Sequence, residues 1–167
     1  MNLEIKNLDN LTNDEKAILI RLAEKANEKS KVFKPKKNQS YYAISCHIGA
    51  AHYFWNDDDC DFNCYELGNC FKTEEQAEFA LKKQEVYMLL KRYALEHNEK
   101  RIDFADNKQS KWCICLEIET GCCLSVVECF NWFDIKQVYF TSEEIALNAI
   151  DEIGEEKIKK YLFGVGE

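Results

Sequence analysis

The chain has little that forces a backbone to turn or stay loose: one proline and six glycines in 167 residues. That scarcity excludes Pro/Gly-rich low-complexity structure and leaves little room for long flexible loops. No run approaches the ~20 consecutive apolar residues of a membrane-spanning helix. The start, Met1-Asn2-Leu3-Glu4-Ile5-Lys6, lacks the basic opening and apolar run of a secretion signal. A cytoplasmic location is therefore expected, with the nine cysteines as thiols or metal ligands in a reducing compartment. Catalytic fingerprints are missing too: there is no Gly-x-Ser-x-Gly, Walker loop, dinucleotide glycine motif or His-Glu-x-x-His. The paired carboxylates Glu74-Glu75 and Glu143-Glu144 read as helix-start residues, and His97 falls at the end of an expected helix. A non-enzymatic protein without a cofactor is the expectation.

What is present is a globular balance, 46% apolar and 31% charged, in a chain long enough to bury roughly 70% of its unfolded surface. The net charge of −8 is uneven. Residues 1–40 hold nine Lys/Arg against six Asp/Glu, residues 41–109 eight against thirteen, and residues 110–167 five against eleven. A basic arm thus precedes an acidic body. Such a body is a poor match for an extended nucleic-acid backbone, which needs clustered Lys/Arg, but suits a basic partner protein.

The arm contains Thr12-Asn13-Asp14-Glu15, a capping box whose hydroxyl and carboxylate satisfy the first amides of a helix expected over 13–28. Pro35, within the basic stretch 31–37, ends it. From Tyr41 the period changes to two: Tyr42, Ile44, Cys46 and Ile48 share one face, Tyr41, Ala43, Ser45 and His47 the other. Gly49 suits a hairpin turn and 51–55 the returning strand. Residues 56–61 read as an acidic loop and 64–67 as a third strand. Thr73-Glu74-Glu75-Gln76 is a second capping box, opening a helix that reaches His97. Trp112, Ile114, Leu116 and Ile118 then alternate with Cys113, Cys115, Glu117 and Glu119. Thr120-Gly121 turns the chain, 122–129 return it, and a short strand over 137–140 leads into a helix that Gly154 ends in a left-handed conformation. One or two helical turns follow over 155–162.

Phe71-Lys72-Thr73-Glu74-Glu75-Gln76-Ala77 matches Phe140-Thr141-Ser142-Glu143-Glu144-Ile145-Ala146 at an offset of 69. In both, an aromatic ends a strand, a hydroxyl caps a helix, and two glutamates face its positive end. The reading is an α+β protein: residues 1–38 a basic helix and linker, residues 39–167 a body of two duplicated hairpin-plus-helix units, 39–100 and 101–167. Their strands form one six-stranded sheet or two small ones.

Among candidate sites, Asp57, Asp59 and Asp61 have the opening spacing of a calcium loop, but Phe62 and Gly68 stand where that loop needs glycine and a bidentate glutamate. Cys46, His47, His52, Cys60, Cys64 and Cys70 are soft ligands within 25 residues; His52, Cys60, Cys64 and Cys70 are the zinc candidates, although only Cys60 and Cys64 form a tight pair. Buried cysteine more often acts as a small apolar filler. Cys113 and Cys115, with Cys122, Cys123 and Cys129 on the neighbouring strand, are vicinal thiols of redox or packing character. The strand-borne aromatics Tyr42, Trp55 and Trp112 and the apolar run Phe130-Asn131-Trp132-Phe133 are candidates for stacking or partner binding. Asn69, Lys72 and Lys111 are candidate polar and basic contacts.

Phe33-Lys34-Pro35, Tyr41-Tyr42-Ala43-Ile44, Gly68-Asn69-Cys70-Phe71 with the capping box after it, and Leu90-Lys91-Arg92-Tyr93 resemble uncharacterised proteins of bacteriophages, prophages and mobile elements of low-GC Gram-positive bacteria. Tyr139 to Ala146, Ile153-Gly154-Glu155 and Lys160 to Val165 are similar to the same family's ending. The resemblance covers most of 33–167 and departs in its cysteine load. It implies a small accessory protein in a bacterial host cytoplasm. Two functions follow from that setting, the first preferred because the body is acidic and a phosphate-bearing ligand wants local positive charge. One is an inhibitor of a host defence protein, anti-CRISPR-like, whose acidic body blocks a basic channel. The other is an oligomeric sponge for an immune nucleotide, cyclic or ADP-ribose-type, held between aromatics and bases such as Lys72 or Lys111.

Overall fold

The computed structural model describes residues 12, 14–19, 32–119, 122–130, 133, 134 and 136–165. Two compact units, Met1–Lys34 and Pro35–Glu167, divide the chain. In the first, residues 14–19 are helical (α1). The Thr12 amide donates to the Glu15 carboxylate at 2.8 Å and the Glu15 amide to the Thr12 hydroxyl at 3.3 Å, closing the expected capping box. The Thr12 amide and hydroxyl, both donating to that carboxylate at 2.8 Å, hold the Glu15 carboxyl below its usual range. The remainder of the helix expected over 13–28 lies outside the described residues.

The second unit is α+β. Strands β1 (Ser40–Ser45) and β2 (Gly49–Phe54) form one antiparallel hairpin, and β3 (Trp112–Glu117) and β4 (Cys123–Glu128) another. Between and after them come α2 (Asp59–Glu66), α3 (Glu74–His97), α4 (Glu143–Ile153), α5 (Glu155–Ile158) and a π-helical turn, Lys159–Phe163. Helix α3 packs on β1 and β2, α4 on β3 and β4, and α3 also meets α4 and the π turn. The alternation read from the sequence selects the buried face: Tyr41, Ala43 and Ala51 are enclosed, Tyr42 and Ile44 half-buried. The first hairpin closes with Gly49 at φ 75°, a value that costs an L side chain, and an added Cβ would sit 3.4 Å from Leu81. The Thr120-Gly121 turn lies outside the described residues.

The third strand expected over 137–140 shrinks to a single pair at Phe140, and the one expected over 64–67 does not form, a single pair at Phe71 standing in its place. Tyr42 exchanges both backbone bonds with Phe71 (3.0 and 2.9 Å), and Trp112 does the same with Phe140 (2.9 and 2.8 Å). Residues 59–66, expected as the end of a loop and a strand, are helical instead. Asp58 caps this helix by accepting the Asp61 amide, and Asp59 and Asp61 lie in its first turn, where the helix dipole favours negative charge.

The repeat is visible in detail. Thr73 and Ser142 each accept an amide at 3.3 Å, from Gln76 and Ile145. Four residues further on, Ala77 and Ala146 are both fully enclosed. The Asn69 side-chain amide brackets Ile44, accepting its N–H at 2.7 Å and donating to its carbonyl at 3.0 Å; in the second copy the Gln137 amide donates to the Ile114 carbonyl at 2.6 Å. Both copies thus pin a connecting segment to the free side of the first strand with a side-chain amide. The copies then diverge. Helix α3 runs 24 residues, while α4 stops after eleven at Gly154, whose φ of 99° and ψ of 121° lie outside the left-handed helical region expected for it. Truncating either cap, Thr73→Ala or Ser142→Ala, should cost about 1 kcal/mol by urea unfolding. Equal losses would mark the two helix starts as energetic equivalents.

The main core gathers Val86, Leu90 and Tyr93 of α3, Ile114, Phe140, Ala146, Ala149 and Ile150 of the second repeat, and Ile158 of α5. Among the described residues no helix is long and apolar enough to cross a membrane.

Candidate functional site

Several residues singled out by the sequence serve the interior. Trp55, 1% exposed, packs edge-on to Tyr41 and Phe62, and its indole N–H donates to Asp57 at 2.6 Å. The Tyr41 hydroxyl donates to Asp61 at 2.8 Å and the Asn56 amide to the other oxygen of that carboxylate at 2.6 Å. This acidic stretch is a folded knot around one buried carboxylate, which explains why it fails as a calcium loop. Burial pushes the Asp61 carboxyl up, but the bonds from Asn56 and Tyr41 outweigh it and the net displacement is downward. A depressed folded-state value means stability that is present above the unfolded carboxylate value of about 3.9 and is lost as pH falls through the folded one. Asp61→Asn should therefore remove part of the acid-unfolding transition below about pH 4. An unchanged acid limb would show that Asp61 does not contribute to it.

Lys111 is 1% exposed, donates from Nζ to the carbonyls of Asp106 (2.6 Å) and Gln109 (2.9 Å), and lies 5.4 Å from the Phe133 ring centre. It closes the 106–111 loop from inside and has no room for a phosphate. Asn69 is committed to Ile44. Tyr42 and Trp112 are half-buried, the former edge-on to His52 at 5.2 Å and the latter packed on the core. Lys72 is exposed, and its amide donates to Gln76. Phe130, 68% exposed, is the one candidate aromatic described as open to solvent. Trp132 lies outside the described residues.

The zinc candidates are not assembled. His52 stacks edge-on between Tyr42 and Phe54, Cys60 is exposed on α2, and Cys64 and Cys70 are half-buried. Burial raises both of the latter thiols, Cys70 to about 11. Among the described residues no group of three or more His, Cys, Asp or Glu is placed to hold a metal.

One concave surface has no single motif in the sequence to announce it. Two adjoining pockets, about 520 and 680 Å³, share Tyr87, Gln137 and Val138. The first enters the core beside Leu90, Ile114, Phe140 and the π turn; the second runs under the loop that follows α3, beside Phe104 and Tyr139. Helix α3 supplies one wall, with Lys83, Tyr87 and Lys91 at four-residue steps and thus about 6 Å apart along one face. Lys136 lines the first pocket, and Lys100 and Arg101 the second. In a chain of net charge −8, five cations and no carboxylate line this groove. None of the five forms an ion pair among the described residues; neighbouring Lys82, which does not line the groove, pairs with Glu85 at 2.8 Å. Lysine stems cover apolar walls while their heads stay wet, so the groove offers an apolar floor with a positive rim.

No protein-family model, curated protein or solved structure matches the chain.

Proposed function

We propose that this chain is a non-enzymatic binding protein for a phosphate-bearing small molecule of nucleotide type, held in the groove along α3. The observation that carries the reading is the lining: Lys83, Lys91, Lys100, Arg101 and Lys136 around an apolar and aromatic floor, with no carboxylate among them. A phosphate needs local positive charge, and five cations collected in an acidic protein focus it regardless of the net charge. Tyr87, between two lysines on α3, offers a ring face to a base or ribose. The cations are not Lys72 and Lys111, the bases that the sequence makes prominent. In the bacteriophage setting that the resemblance implies, the ligand is an immune signalling nucleotide and the protein its sponge in the host cytoplasm.

Native mass spectrometry and thermal shift against cyclic dinucleotides, ADP-ribose and cyclic ADP-ribose isomers test the reading. Stabilisation of about 2.7 kcal/mol is expected at a ligand concentration of 100 Kd. A flat panel at high concentration, with clean apo masses, would remove these ligands.

A second reading, inhibition of a host defence protein by direct binding, draws on a different surface. An open groove between the first hairpin and α3 is lined by Ile44, Leu67, Phe71, Leu81, Met88 and Leu89. Leu67 is 83% exposed, and Ile48 in the adjoining turn is 74% exposed. Exposed aliphatics beside a concave apolar surface fit a protein partner. Capture of a defence protein by the wild type but not by Leu67→Glu would favour this reading over the first.

A further inference from the structure

Three thiols meet at the end of the second hairpin. Cys113 and Cys115 alternate on one face of β3. The register sets Cys113 opposite Val127, so Cys129, two residues further along the returning chain, projects from that same face. Its amide donates to the Lys111 carbonyl at 2.7 Å, which extends the ladder past β4 and fixes the position of the cysteine. The Cys113 Sγ then lies 3.1 Å from the Cys129 Sγ and 3.6 Å from the Cys115 Sγ. A shallow pocket of about 560 Å³, bordered by Phe133, Asp134, Gln137 and Tyr139, opens onto the three sulfurs. Cys113 is 5% exposed, whereas Cys129 and Cys115 are half-buried.

We infer that Cys113 and Cys129 form a peroxide-sensitive thiol pair that closes reversibly to a disulfide. The bond needs the sulfurs, 3.1 Å apart, to approach by roughly 1 Å, to about 2.05 Å. The two cysteines have separate roles. Cys129, reached through the pocket, is the entry point: its thiolate attacks a peroxide oxygen, the O–O bond breaks, and Cys129 becomes a sulfenic acid as hydroxide leaves. The Cys113 sulfur then displaces the sulfenic hydroxyl, which departs as water with the Cys113 proton. Overall, two thiols and one hydrogen peroxide give one disulfide and two waters, the sulfurs losing two electrons and the peroxide gaining them. Burial, then contact with Cys129 and Cys115, pushes the Cys113 thiol well above its usual range, so it is not the first thiol to meet peroxide and gives up its proton only as it attacks the sulfenic sulfur. The pair adjoins the groove through Gln137 and Tyr139, which border both surfaces, but its chemistry does not depend on what the groove binds.

The test is non-reducing peptide mapping of the full chain, purified reduced, after one equivalent of hydrogen peroxide and alkylation of the remaining thiols. The expected product is a single Cys113–Cys129 cross-linked peptide, a mass loss of about 2 Da reversed by dithiothreitol. It should form ahead of modification at the exposed Cys46, Cys60 and Cys123. Cys115→Ser should leave the cross-link intact. Cys129→Ser should abolish it and leave Cys113 alkylatable. Oxidation at the exposed cysteines without the cross-link, or a Cys113–Cys115 bond in its place, would overturn the assignment. Because the mapping is done on the wild-type chain, its outcome does not rest on the folding of any variant. Dimedone labelling of Cys113→Ser, where that variant folds, should trap the sulfenic acid on Cys129; labelling elsewhere would overturn the order of steps.

Discussion

A chain carrying both Lys83→Glu and Lys91→Glu is expected to bind a phosphate-bearing nucleotide at least ~100-fold more weakly than the wild type. A hydrogen bond between charged partners contributes about 1.5–3 kcal/mol, so losing two removes roughly 3–6 kcal/mol, and each 1.4 kcal/mol is tenfold in Kd. The substituted carboxylates add repulsion. Both lysines are exposed on α3 and make no ion pair among the described residues, so unfolding midpoints should move little. The matching control is Lys108→Glu with Lys157→Glu, which alters net charge equally, from −8 to −12, away from the groove. Calorimetry on both pairs separates local from global charge. Equal weakening would mean that the groove is not the binding site and that only the overall field of the protein matters.

The second large effect is on stability. Phe140→Ala is expected to destabilise the chain by about 3–5 kcal/mol, the usual range for a fully buried Phe. Phe140 is completely enclosed among Ile114, Ala146 and Ala149, while its backbone clamps Trp112. Against a typical total of about 5–15 kcal/mol, that is a fifth or more of the whole. Its counterpart Phe71 has the same backbone bonds to Tyr42 but a half-buried ring. Phe71→Ala should therefore cost markedly less. Urea midpoints for the two variants check this, and equal losses would show that ring burial is not what distinguishes the copies.

Features that settle their own polar groups locally are legible in the sequence. Thr12, Thr73 and Ser142 read as caps because a hydroxyl three residues ahead of an amide needs nothing from the rest of the fold. The hairpins are legible because alternation declares which residues turn inward. Helix α2 escapes sequence reasoning although its signal is present: Asp58 as cap, with Asp59 and Asp61 at the dipole, resembles a solvated loop because charge in the run outweighs periodicity. Trp55, Asn69 and Lys111 resemble binding residues because large aromatics, amides and lysines are common at sites. Each instead satisfies a partner that is remote or hidden in sequence: Asp57, the backbone of Ile44, and two loop carbonyls. The groove is legible only in part. Lys83, Tyr87 and Lys91 stand at helical steps in the sequence, but Lys100, Arg101 and Lys136 join them only once the 98–111 loop and the 134–140 segment fold back against α3.

Helix α3 also decides whether either half of this duplication could live alone. One side of it packs on the first hairpin, while Val86, Leu90, Tyr93 and Ala94 complete the core of the second repeat. A gene fragment encoding only the first repeat would leave that apolar stretch bare, and one encoding only the second would lack a wall of its core. The two similar units share one helical spine, so residues 35–167 should unfold as a single cooperative body.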